Sequence, residues 1–79
     1  MIMQADTLSK IVGQNIRKRR SELNMTQTEL ADKLGITAGA ISDIELGKRS
    51  PGIKTIAEFS EALRIPPSYL LSAETVVAI

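Results

Sequence analysis

The chain has 79 residues, of which 43% are hydrophobic and 24% are charged, and its formal net charge is +1. It contains neither cysteine nor histidine, which excludes disulfides, thiolate or imidazole metal sites, and the usual nucleophile and base pairs of hydrolases. No apolar run reaches the roughly 18 residues that cross a bilayer, and we therefore expect one cytoplasmic domain that is not an enzyme and uses no cofactor, metal or membrane.

The charge is unevenly distributed along the chain. Residues 1–20 carry a formal charge of +4 and the remainder carries −3. Asp6 is the acid of the first segment, and its bases are Lys10, Arg17, Lys18, Arg19 and Arg20. A local basic face can bind phosphate even on a nearly neutral protein, although such a run is also compatible with an ordinary solvated helix face.

The N-terminal part of the chain predicts an arm followed by a helix. Residues 1–7 show no periodicity and are expected to form a flexible arm. Apolar residues then recur at helical spacing, which predicts a helix from Leu8 to about Leu23. These residues are Leu8, Ile11, Val12, Ile16 and Leu23.

One arginine falls on the apolar stripe of this helix. Arg20 lies four residues after Ile16 and three before Leu23, and a charged side chain at such a position needs a partner. Glu45 directly follows Ile44, which we predict to be buried in a later helix. We therefore expect Arg20 and Glu45 to form a partly buried ion pair.

The middle of the chain predicts two short helices. Thr26 followed by Glu29 has the form of a capping box, so a helix should begin at Gln27. Gly35 follows the apolar residues of this helix and is a residue type that ends helices. Because isolated helices this short are marginal in water, other elements must pack behind them.

The second of these helices should begin after Thr37, a further N-cap residue. Ile41 and Ile44 recur at helical spacing, and Gly47 provides a second stop signal. Two short helices joined by a tight glycine-containing turn are typical of a helix-turn-helix. A generic helical hairpin of a bundle is the alternative.

The C-terminal third predicts two more helices. Residues 48–52 have turn composition, and a fourth amphipathic helix is expected from Ile53, Ile56, Phe59, Ser60 and Leu63. A last short helix should enter at Pro67 and include Leu71. The tail, residues 72–79, is apolar, and it is expected either to fold back on the core or to cover a partner's surface as a dimerisation element.

From Ile11 to Leu71 the chain resembles the helix-turn-helix family of phage repressors and Cro proteins, also called the XRE family. The resemblance rests on residues 16–20, 25–31, 34–36, 41–49 and 50–51, which occur in order and at the family spacing. It implies an all-α, five-helix, lambda-repressor-like DNA-binding domain over residues 8–71, in which the second and third helices read DNA.

The resemblance also implies roles for individual residues. Gln27 matches the family glutamine that holds a DNA phosphate, and the arginine and glutamate that match Arg20 and Glu45 form an ion pair in relatives. The remaining predicted DNA-binding residues are Thr37, Ala38, Gly39, Ser42 and Asp43 for the major groove, and Arg17, Lys48 and Arg49 for phosphates.

The predicted base-reading face departs from better-known relatives. Ala38, Gly39 and Asp43 stand where those often carry amide or basic side chains, so base readout looks thin and specificity would rest on DNA shape or on the arm. We expect a repressor that binds a palindromic double-stranded operator as a homodimer, with a toxin or anti-repressor as a candidate regulatory protein partner. A protein-interaction module that has lost DNA binding is the alternative function.

Overall fold

The computed structural model describes residues 5–73, with side chains described from residue 7 onward. All regular secondary structure in this range is helical, which confirms the predicted all-α, five-helix class. The helices are α1 (Ala5–Glu22), α2 (Gln27–Leu34), α3 (Ala38–Glu45), α4 (Ile53–Leu63) and α5 (Pro67–Leu70).

Helix α1 begins three residues earlier than predicted. It starts at Ala5 rather than Leu8, so the expectation of a flexible arm is wrong for residues 5–7, while residues 1–4 lie outside the described part. Thr7 and Leu8 are both exposed. Hydrophobic periodicity marks only the turns that pack on a core, and it therefore missed this first turn.

A single apolar core lies between the five helices. Helix α1 packs against α3, α4 and α5, and α2 packs against α3 and α4. The buried apolar side chains are Val12, Ile16, Leu30, Ala31, Ile41, Ile44, Phe59, Leu63 and Leu70. The core thus holds the two short helices α2 and α3 from behind.

The first residue of α4 departs from the predicted amphipathic pattern. Phe59, Ser60 and Leu63 are buried as expected, but Ile53 is 91% exposed. Ile53 fits the helical spacing, yet it stands at the first position of the helix, where α4 extends beyond the core.

Helix α5 is held in place by a buried asparagine of α1. Asn15 is fully buried, and its side-chain amide donates to the backbone carbonyls of Tyr69 at 3.1 Å, Leu70 at 2.9 Å and Ser72 at 3.0 Å. Pro67 opens α5 as predicted, but the helix ends at Leu70, leaving Leu71 as its C-cap. The predicted tail lies outside the described residues from position 74 onward.

No helix in residues 5–73 is both long enough and apolar enough to cross a membrane.

Candidate nucleic-acid interface

The start of α2 is fixed by the predicted capping box. The Thr26 hydroxyl accepts the backbone N–H of Glu29 at 3.0 Å, and the Thr26 backbone N–H donates to the Glu29 carboxylate at 2.9 Å. At the other end, Gly35 has φ +70° and donates its N–H to the last turn of α2. The chain can therefore turn sharply into α3 without the strain that a side chain would bring.

The start of α3 exposes groups that can meet DNA. The Thr37 hydroxyl oxygen accepts the N–H of Ala40 at 3.1 Å, which leaves its hydrogen available to donate to a phosphate or a base. Thr37 and Gly39 are exposed, whereas Ser42 and Asp43 are half-buried. Unpaired N–H groups and the helix dipole at this end favour an anion.

Ala38 is less accessible than the sequence predicted. It is half-buried and packs against the hydrophobic core, so its methyl group is not directed simply outward. Ser42 and Asp43 are half-buried as well, so Thr37 and Gly39 are the exposed positions at the start of α3, and Gly39 has no side chain.

An ion pair links α1 to the end of α3. Arg20 Nε donates to Glu45 Oε2 at 2.6 Å and Arg20 Nη2 donates to Glu45 Oε1 at 3.0 Å, with side-chain exposures of 14% and 3%. The hydrogen bond to Glu45 raises the pKa of Arg20 above its ordinary value. Such a two-point contact fixes orientation as well as distance.

The same carboxylate also holds the first residue of α2. Gln27 Nε2 donates to Glu45 Oε1 at 3.0 Å, and Arg20 Nη1 donates to the carbonyl of Met25 just before α2 at 2.8 Å. The first turn of α2 is thereby oriented relative to α1 and α3. Because one amide hydrogen of Gln27 is engaged in the protein, only the other and the backbone N–H remain for a phosphate.

A glycine that the sequence reading did not single out brings α1 and α3 together. A Cβ added at Gly13 would overlap the carbonyl oxygen of Ile44 and would lie 2.7 Å from that of Glu45. The backbone of α1 therefore touches the end of α3, beside the Arg20–Glu45 pair. The signal for this contact is a glycine inside an otherwise periodic helix, which often marks close packing.

Two exposed cations lie on an ordered loop after α3. The backbone N–H groups of Lys48 and Arg49 both donate to the carbonyl of Asp43, at 2.8 and 3.3 Å, and the next residue, Ser50, hydrogen-bonds Ser9 of α1. The loop is therefore tied both to α3 and to α1. Phosphate contacts made by Lys48 and Arg49 would be set by the position of α3.

Two of the four consecutive basic residues of α1, at positions 17–20, are engaged in contacts within the protein. Arg20 pairs with Glu45, and Arg19 donates from Nε to the carbonyl of Leu63 at 3.0 Å and pairs with Glu22 at 3.5 Å. Arg17 is exposed. Within residues 5–73, no cluster of acidic side chains is arranged to bind a metal ion.

The capping box makes one contribution to stability depend on pH. The backbone N–H and the hydroxyl of Thr26 lower the pKa of Glu29 below its ordinary value of 4.5. The ionised carboxylate therefore stabilises the fold at pH values above 4.5, and this contribution is lost as the pH falls through the lower folded pKa. Between pH 6 and pH 3, the free energy of unfolding measured with urea should therefore fall more for the parent protein than for Glu29→Gln. A difference between the two proteins that does not change with pH would contradict this.

The fold and this surface together define a helix-turn-helix protein, and comparison with known proteins agrees. Residues 16–70 match the family model described as helix-turn-helix. The chain therefore belongs to the helix-turn-helix family.

Relatives and solved structures support the assignment. The chain is 42% identical over 63 residues to the HTH-type transcriptional regulator YqaE of Bacillus subtilis, covering 80% of this chain and 54% of YqaE. The P22 c2 repressor of Salmonella phage P22, solved in complex with a synthetic operator, is 34% identical with a TM-score of 0.73, covering 77% of this chain and 92% of that one. The restriction-modification controller protein C.AhdI of Aeromonas hydrophila is 27% identical with a TM-score of 0.74, covering 78% and 94%.

The chain spans roughly half or less of the length of the first curated relatives that it matches, with 54%, 41% and 24% of their residues covered. The match therefore concerns the helix-turn-helix unit that these proteins share.

Proposed function

We propose that this chain is a sequence-specific double-stranded DNA-binding transcriptional regulator, a repressor that binds a palindromic operator as a homodimer. The observation that carries the proposal is the exposed N-terminus of α3, flanked by the cations Lys48 and Arg49 on a loop tied to Asp43. A helix presented in this way can enter the major groove while the loop follows the phosphate backbone. The P22 c2 repressor, a relative of similar fold, has been solved in complex with a synthetic operator, which supports DNA binding by this fold.

Affinity in this proposal comes mainly from phosphates. Lys48, Arg49 and Arg17 are exposed cations, and Gln27 offers its backbone N–H at the start of α2. Base contacts are few, because α3 offers a base the hydroxyl groups of Thr37 and Ser42 and the carboxylate of Asp43. Sequence preference would then depend strongly on the shape and deformability of the DNA.

A salt titration tests the phosphate contacts. Each neutralised phosphate contributes about 0.9 to the slope of log affinity against log salt. A Lys48→Ala/Arg49→Ala variant should therefore bind operator DNA more weakly and with a slope that is smaller by up to about 1.8, measured by fluorescence anisotropy. The matched control is Lys33→Ala, which removes an exposed cation located near Glu58 and Glu61, and it should leave the slope unchanged.

Selection from a random-sequence DNA pool tests the operator and the stoichiometry. We expect enrichment of a palindrome that binds two chains, each contributing one α3 to one half-site. Enrichment of an asymmetric site bound by one chain would overturn the dimer. Absence of any enrichment at low salt would instead favour the protein-interaction module, for which the small face formed by Gly39 and the half-buried Ala38 is the supporting observation.

A further inference from the structure

One acidic residue lies on the face of α3 that points away from the core. Asp43 is two residues from Ile41, which is fully buried, and two residues correspond to about 200° of rotation around a helix. Gly39 is two residues from Ile41 in the other direction. Gly39 and Asp43 are four residues apart, so they are neighbours on the same outward face of α3.

The carboxylate of Asp43 is not engaged within the part of the chain whose side chains are described. Asp43 is half-buried, but it is its main-chain carbonyl that accepts the N–H groups of Lys48 and Arg49, and no ion pair or hydrogen bond involves its side chain there. The carboxylate of Glu45, by contrast, is paired with Arg20. The Asp43 carboxylate is therefore free to accept a hydrogen bond from a ligand.

Gly39 leaves room for this carboxylate to approach a ligand closely. Side chains of a helix lean toward its N-terminus, so that of Asp43 extends over the turn that contains Gly39. A Cβ added at Gly39 would meet only the Thr37 hydroxyl, at 3.9 Å, which shows that the space outside this turn is open. Because an aspartate side chain is short, it reaches a base only if the helix backbone comes close, and glycine permits such an approach.

The chemistry of a carboxylate limits what it can contact in DNA. An ionised carboxylate only accepts hydrogen bonds, and it is repelled by phosphates. In the major groove the donors are the N4 amino group of cytosine and the N6 amino group of adenine. Adenine carries the N7 acceptor beside its amino group, whereas cytosine presents the amino group alone. Cytosine is therefore the base that an aspartate at this position fits.

We propose that Asp43 selects a cytosine in each half-site of the operator, with its carboxylate accepting a hydrogen bond from cytosine N4 and Gly39 allowing the close approach. This inference rests on the proposed function and adds the identity of one base pair to it. Phosphate contacts of Lys48 and Arg49 would fix the position of the carboxylate, because their loop is tied to the Asp43 carbonyl. At any other base pair the carboxylate would lack this donor, so it also acts against wrong sequences.

Base-pair replacement in the operator tests the contact. The operator is the sequence that the full chain enriches from the random pool, and each position of its half-site is changed to the other three base pairs, with Kd measured by fluorescence anisotropy. Replacement of one C·G pair should weaken binding of the parent protein at least about fivefold. Asp43→Ala should bind all four pairs at this position with nearly equal affinity and keep the other preferences. Asp43→Asn should prefer adenine there, because its amide can pair with both N6 and N7.

The matched control is Asp32→Asn, which removes the same charge from an exposed position of α2 and should leave every base preference as in the parent. Gly39→Ala should weaken the preference for cytosine, since its methyl group would hold α3 away from the base, and an unchanged preference would contradict the close approach. Base preferences that are the same in the parent and in Asp43→Asn would overturn this inference alone. A parent protein that selects no operator would overturn the proposed function and this inference with it.

Discussion

An Arg20→Ala variant should lose about 3–5 kcal/mol of unfolding free energy, because it leaves the Glu45 carboxylate without its charged partner at a buried site. The Glu45 side chain is only 3% exposed and accepts two hydrogen bonds from Arg20. The substitution also removes the donor to the Met25 carbonyl. For a domain of this size, such a loss is a large fraction of the total stability, and Tm should fall by more than about 12 °C.

The matched control is Arg17→Ala, which removes an exposed arginine from the preceding turn of the same helix. It should change the unfolding free energy by less than about 0.5 kcal/mol. A double-mutant cycle with Glu45→Ala should show that the two losses are strongly non-additive. Unchanged thermal stability of Arg20→Ala would refute the proposed role of the pair.

The second large effect is expected at Gly13. A Gly13→Ala methyl would overlap the backbone carbonyl of Ile44 and press on that of Glu45, and a backbone carbonyl cannot move aside as a side chain can. Helix α1 must therefore separate from α3. We expect a loss of about 1–3 kcal/mol, the usual cost of overpacking, even though alanine is otherwise favoured over glycine inside a helix.

Gly39→Ala is the control, and its change in the free energy of unfolding should have the opposite sign. A Cβ at Gly39 would meet only the Thr37 hydroxyl, at 3.9 Å, so the substitution should stabilise α3 by about 0.5–1 kcal/mol through helix propensity alone. Urea denaturation with a shared m value measures both changes. If Gly13→Ala were also stabilising, the close contact between α1 and α3 would be excluded.

The effect of Gly13→Ala should extend to the proposed DNA surface. Separation of α1 from α3 would also strain the Arg20–Glu45 contact and, through Glu45, the hydrogen bond to Gln27. The predictions for Arg20 and Gly13 thus concern the same contact region, through which α1 positions both α2 and α3. DNA affinity measured on folded Gly13→Ala protein should fall together with stability.

The class of the fold and the local geometry of the helix-turn-helix could both be predicted from the amino-acid sequence. Thr26 with Glu29, the N-cap Thr37 and the stop at Gly35 act within a few residues of their own helices, so their effects can be predicted without knowing the rest of the structure. Family spacing then supplied the assignment of DNA-contacting positions, which remains a prediction for this chain.

Contacts between helices that are distant in sequence hold these short elements in place and limit the exposure of the N-terminal part of α3. Asn15 is polar and interrupts the apolar pattern of α1, yet it is fully buried because the end of α5 presents carbonyls to it. Ile53 fits the amphipathic pattern of α4 but is exposed, since nothing in residues 5–73 packs over it. Gly13 and the half-buried Ala38 likewise depend on a neighbouring helix. Periodicity describes which side chains share a face, but burial depends on what another element, distant in sequence, places against that face.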